Sequence, residues 1–131
     1  MKLMKFFAAC LLLAAVFTSC SKDKDVPATP SFNIVGVWAG KLGTGSSIPT
    51  GYFGLDVKAN GKLDRVTADG EVTGTGTWTL NGNTFKGHYV ASSNGVSIDV
   101  TATVDKIANK LTNGTWENSG DNSGTWYASK K

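Results

Sequence analysis

The stretch from Gly74 to Ser92, GTGTWTLNGNTFKGHYVAS, constrains the fold of this chain more than any other. Thr75, Thr77 and Thr79 fall on one parity and Gly76, Trp78 and Leu80 on the other, the period of a strand with one wet face. Asn81, Gly82 and Asn83 break the alternation with residues that accept positive φ. It then resumes, with Phe85, Gly87, Tyr89 and Ala91 set against Thr84, Lys86, His88 and Ser92. The stretch predicts a β-hairpin. Trp78, Leu80, Phe85 and Tyr89 give one face more aromatic surface than a two-stranded unit can cover, so the rest of the chain has to supply more sheet.

It does so with similar patterns. Ile34 to Lys41 reads as a first strand, followed by a Gly, Ser and Thr loop from Gly43 to Gly51. Tyr52 to Ala59 is a second strand, with Phe53, Leu55, Val57 and Ala59 aligned. Asn60-Gly61 predicts a tight turn into a third strand from Lys62 to about Ala68, and Asp69-Gly70 another into the fourth. After the fifth, Ser93-Asn94-Gly95 leads to a sixth in which Val96, Ile98, Val100, Ala102 and Val104 share one parity. Asp105 to Lys110 connects, with room for one helical turn. Leu111 to Glu117 is a seventh strand whose Leu111 and Trp116 fall on opposite parities unless a bulge near Asn113-Gly114 realigns them. Gly124 to Ser129 is the eighth.

Eight strands joined by short connections should pair antiparallel in chain order. Without a helix long enough to cover a sheet, the predicted fold is all-β: an eight-stranded up-and-down barrel, with a β-sandwich as the alternative. Closure removes exposed edges, and glycines inside strands at Gly36, Gly40, Gly54, Gly76 and Gly87 suit the coiling of a small barrel. Gly36-Val37-Trp38 resembles the Gly-x-Trp that opens lipocalins, and Gly-Thr-Trp at 76–78, 114–116 and 124–126 is similar to lipocalin-like and avidin-like small barrels. The resemblance implies a meander barrel and a basic residue stacked on the first tryptophan, for which Arg65 is the one arginine available and Lys130 and Lys131 are poor substitutes. The polar biotin contacts of avidins find no counterpart.

The first residues carry a different signal. Lys2 and Lys5 precede an apolar run from Phe6 to Phe17, shorter than the ~20 residues that span a bilayer, and Thr18-Ser19 lead to Cys20. Phe17-Thr18-Ser19-Cys20 resembles the lipobox of bacterial lipoproteins, which implies a signal peptide over 1–19 and acylation of Cys20. Ser21-Lys22-Asp23-Lys24-Asp25 resembles the short acidic export tags of surface lipoproteins in some Gram-negative bacteria, from which its interleaved lysines depart; a plain solvated tether explains it equally well. Pro27 and Pro30 keep the linker extended to Ser31. The expected organisation is a signal peptide, a lipidated cysteine with its linker (20–31) and a barrel (32–131), held at the outer membrane through Cys20.

Once the leader is removed, eleven basic side chains face ten acidic ones, too even a balance for nucleic acid. The two cysteines, Cys10 and Cys20, both lie before the barrel, so packing and hydrogen bonds have to stabilise it unaided. Trp38, Trp78, Phe85, Tyr89, Trp116 and Trp126 are the candidate ligand-contacting residues, since an aromatic wall suits an apolar, amphipathic or glycan ligand. An eight-stranded barrel is also narrow enough to be filled by those same side chains. His88 has neither a nucleophile nor an orienting partner in sequence, which makes it a surface residue. Turn chemistry accounts for Asp69-Gly70 better than a carboxylate pair with Asp64 or Glu71 does. Glu117 to Ser123 is rich in oxygen atoms but lacks the spacing of a calcium loop. No catalytic set, metal site or cofactor is expected. The two readings of function are a tethered barrel that binds a small apolar, amphipathic or glycan ligand, and a filled, non-catalytic barrel that docks onto an envelope complex.

Overall fold

A computed structural model describes residues 31–131, of which Phe32–Lys131 form one compact unit. The predicted signal peptide, Cys20 and the linker before Ser31 lie outside the described residues. Eight strands follow in chain order: β1 (Gly36–Thr44), β2 (Gly51–Val57), β3 (Lys62–Val66), β4 (Val72–Asn81), β5 (Thr84–Ala91), β6 (Ser97–Asp105), β7 (Lys110–Asn118) and β8 (Ser123–Lys130). Each pairs antiparallel with its neighbour, and β1 pairs with β8, so the meander closes into a barrel. The sandwich alternative is thereby excluded.

Up-and-down connectivity sorts the connections into two sets. The start of β1, the β2–β3, β4–β5 and β6–β7 turns and the end of β8 share one end, here the proximal end because the chain reaches β1 there. The β1–β2, β3–β4, β5–β6 and β7–β8 connections share the distal end. Among the described residues every strand and every buried core residue lies within Ile34–Lys130. The eight-stranded ladder closes within that span.

The alternation seen in sequence sets which side chains point inward. Trp38, Phe53, Leu55, Val57, Leu63, Phe85 and Leu111 are fully buried, while Thr75, Thr77, Thr79, Lys86 and His88 face solvent. Ladder register then pairs large with small: Phe53 lies opposite Gly40, Tyr89 opposite Gly76 and Trp78 opposite Gly87. On β7 and β8 the pairing is reciprocal, Gly114 with Trp126 and Trp116 with Gly124. This explains the recurring Gly-Thr-Trp: each motif supplies an indole and, two residues earlier, the gap that a neighbouring aromatic fills. A Cβ on Gly114 would sit 2.7 Å from Cδ2 of Trp126, and one on Gly124 would sit 2.6 Å from Nε1 of Trp116.

The bulge anticipated in β7 is present, as a register shift between Leu111 and Gly114 with Asn113 at φ 51°. Other bounds differ from those predicted. β1 continues to Thr44 because Leu42 keeps the parity of Trp38 and Gly40, which shortens the first loop. β3 stops at Val66, where a register shift after Arg65 ends its ladder with β4. The β6–β7 connection is a turn without a helix: Asp105 Oδ1 accepts from the N–H groups of Ile107 and Ala108 at 3.1 and 2.9 Å, and Asn109 closes it at φ 53°.

Candidate functional site: two aromatic layers and the outer wall

The six aromatic residues singled out in sequence separate into two layers. Trp38, Trp78 and Phe85 occupy the proximal parts of β1, β4 and β5, whereas Tyr89, Trp116 and Trp126 stand toward the distal ends of β5, β7 and β8. Trp38 is fully buried and its Nε1 donates to the Ile34 carbonyl at 2.9 Å, with Phe32 tilted against it at 6.4 Å. Ile34 is itself buried, so the residues just before β1 seal the proximal layer. Trp78 is half-buried; it lies 6.5 Å from the Phe85 ring at 21° and donates to the Lys58 carbonyl at 2.7 Å.

The distal layer contains a cation. Arg65 lies over the Phe53 ring, 4.6 Å from its centroid, and Phe53 in turn packs against Trp126 at 4.9 Å. The Arg65 guanidinium donates to the carbonyls of Gly54 (3.2 Å), Val66 (2.7 Å) and Tyr52 (3.0 Å). No carboxylate among the described residues pairs with it; the carbonyl dipoles and the ring face carry that role. Tyr89 lies beside it. Burial pushes the Tyr89 hydroxyl pKa above its ordinary value, and the nearby guanidinium opposes this by favouring the phenolate.

Arg65 therefore does not stack on the first tryptophan. The basic residue paired with Trp38 is Lys130, its partner across the β1–β8 ladder. Its aliphatic stem crosses Gly36, and its ammonium donates to the Asn33 carbonyl at 2.6 Å. The even spacing of Gly36 and Trp38 was a usable signal, but the partner strand becomes known only once the barrel closes.

Trp116 Nε1 donates to the Gly43 carbonyl at 2.8 Å and Trp126 Nε1 to that of Thr115 at 3.0 Å. All four indole N–H groups are thus engaged by main-chain carbonyls. A buried indole N–H needs such a partner; here each bond ties its tryptophan to the main chain of the wall.

Among the depressions that the described residues form against the barrel, three hold about 290 to 390 Å³, and none of these is lined by Trp38, Trp78, Phe85 or Tyr89. One of about 310 Å³ is lined by Asp99, Glu117, Thr101, Thr115 and Ser123 together with Trp116. A second, about 290 Å³, runs from Val37 and Lys131 past Tyr52 and Asp56 to Asp69. The Tyr52 hydroxyl is buried there without a hydrogen-bond partner. The third, about 390 Å³, is bordered by Thr79, Asn81, Thr84 and Lys86.

The remaining polar candidates are accounted for by local partners. His88 Nδ1 lies 2.7 Å from Asp99 Oδ1 on the exposed outer wall. Asp64 pairs with Lys58 at 2.5 Å, and that partnership, through the hydrogen bond and charge of Asp64, raises the Lys58 pKa. Asp69 sits in the turn that Gly70 closes at φ 84°. Asn118 Oδ1 accepts from the N–H groups of Gly120 and Asn122, so the Glu117–Ser123 segment is a self-capped turn. Among the described residues no group of three or more His, Cys, Asp or Glu is placed to hold a metal ion. No family model, curated protein or solved structure matches this chain.

Proposed function

We propose that this chain is a lipid-anchored protein of the cell outer membrane whose barrel, filled by its own side chains, docks its outer face onto a partner in the envelope and catalyses no reaction. The observation that carries the reading is the engagement of all four indole N–H groups by backbone carbonyls. A buried N–H without a partner costs about 1–3 kcal/mol, and with each indole donor already satisfied by the main chain none is left over to hold a ligand. Here the tryptophans fix strand to strand. Cys20 supplies the anchor through its resemblance to the lipobox cysteine.

Native mass spectrometry of the protein recovered from an envelope fraction tests both parts. The expected spectrum shows the acylated mass and nothing further retained; a reproducible small-molecule adduct on the barrel would overturn the filled-barrel reading. A second reading rests on the depression in the outer wall that two carboxylates and three hydroxyls line together with Trp116, a polar set suited to a sugar ring. A saturable change in tryptophan fluorescence with envelope oligosaccharides, lost in Glu117→Gln, would favour that reading.

A further inference from the structure

The two ends of the barrel carry opposite charge. The proximal turns and chain ends hold Lys58, Lys62, Lys106, Lys110, Lys130 and Lys131 against Asp105 and, just inside β2 and β3, Asp56 and Asp64, whereas the distal connections hold Asp69, Glu71 and Asp121 with no lysine or arginine. Asp105 is occupied in capping its own turn, and Lys58 is partly offset by Asp64. Ile107 projects from the centre of that turn at 97% exposure, flanked in sequence by Lys106 and Lys110. Isolated exposed apolar residues are ordinary on protein surfaces. An isoleucine at the tip of a turn among lysines is the combination that an anionic bilayer surface rewards, since the cations meet headgroup phosphates and the side chain enters the acyl boundary.

We infer that the proximal end of the barrel is a docking surface for the anionic phospholipid headgroups of a membrane. The near-neutral total charge hides this property, because the distal acids and those on the barrel wall offset lysines in the sum while the proximal end keeps an excess of lysine. Chain length agrees. Eleven residues separate Cys20 from Phe32, a reach of at most about 40 Å, and they join the barrel at the lysine-rich end. How the surface is presented in the cell rests on acylation of Cys20; the surface itself does not.

The test uses the acyl-free chain beginning at Ser21, with circular dichroism to verify the folded state of each variant. It is sedimented with vesicles of phosphatidylglycerol mixed with phosphatidylcholine, and with vesicles of phosphatidylcholine alone. Binding is expected to the anionic vesicles only and to disappear near 1 M salt, where the screening length falls to about 3 Å. The double variant Lys106→Glu, Lys110→Glu should bind at least about 25-fold more weakly, roughly fivefold for each lysine lost. Ile107→Ser should weaken binding several-fold without altering its salt dependence. The decisive variant moves charge while conserving it: Lys106→Glu with Glu71→Lys should weaken binding at least about fivefold. Binding of that variant equal to the parent chain, or parent binding indifferent to phosphatidylglycerol, would overturn the inference. Finding Cys20 unacylated in cells would defeat the anchor and leave these vesicle results standing.

Discussion

The proximal and distal layers of the barrel solve the same packing problem with different chemistry. At the proximal end Trp38 is enclosed by hydrocarbon, with Phe32 and Ile34 folded over it. At the distal end a guanidinium lies on a phenyl ring beside a buried tyrosine hydroxyl. Both keep water out, but they fail differently: a hydrocarbon plug loses stability through cavities, and a polar plug through unpaired groups and through pH. The contrast shows that one closed ladder can carry two independent modes of stabilisation.

The largest effect expected is Trp38→Ala, which should lower unfolding free energy by about 3–5 kcal/mol in denaturant titration, while Trp78→Ala, already half-exposed, should cost clearly less. Equal losses at the two positions would break the account of the proximal layer. Next comes Gly114→Ala, whose methyl group meets the Trp126 indole and carbonyl; overpacking of this kind costs about 1–3 kcal/mol and should perturb the Trp126 fluorescence. Arg65→Leu strands three carbonyls and should also cost about 1–3 kcal/mol. Arg65→Lys should recover little of that, because an ammonium cannot span the carbonyls of Tyr52, Gly54 and Val66 with a planar fork.

The smallest effect is the one specific to the distal layer. The Tyr89 pKa is raised above 10.0 on folding, so the folded state holds this proton more tightly than the unfolded chain does. Its contribution is complete below pH 10 and is lost as pH climbs through the raised value. Unfolding measured across that interval should show an alkaline loss that Tyr89→Phe reduces and Trp38→Phe leaves unchanged.

Much of this was legible in the alternation of residues. Inward and outward faces, the hairpin turns at Asn60-Gly61 and Asp69-Gly70, and the β7 bulge at Asn113-Gly114 all follow from local periodicity and turn chemistry. The limits of β1 and β3 were not, because Gly43-Thr44-Gly45 has the composition of a loop although Gly43 supplies the carbonyl that holds Trp116. A sandwich and a barrel share the same period of two, so only the β1–β8 ladder separates them. The positions of Arg65 and Lys130 depend on that ladder too. Register around a closed cylinder is a non-local property, and no window of sequence contains it.

β1 is both the first strand the chain enters and the strand that closes the cylinder, with seven paired positions on each flank. Tension arriving through the residues before Phe32 would run lengthwise along β1 and load both sets of hydrogen bonds in shear, many at once, instead of peeling them singly. A barrel pulled from its N-terminal side would meet that force at the seam best built to bear it.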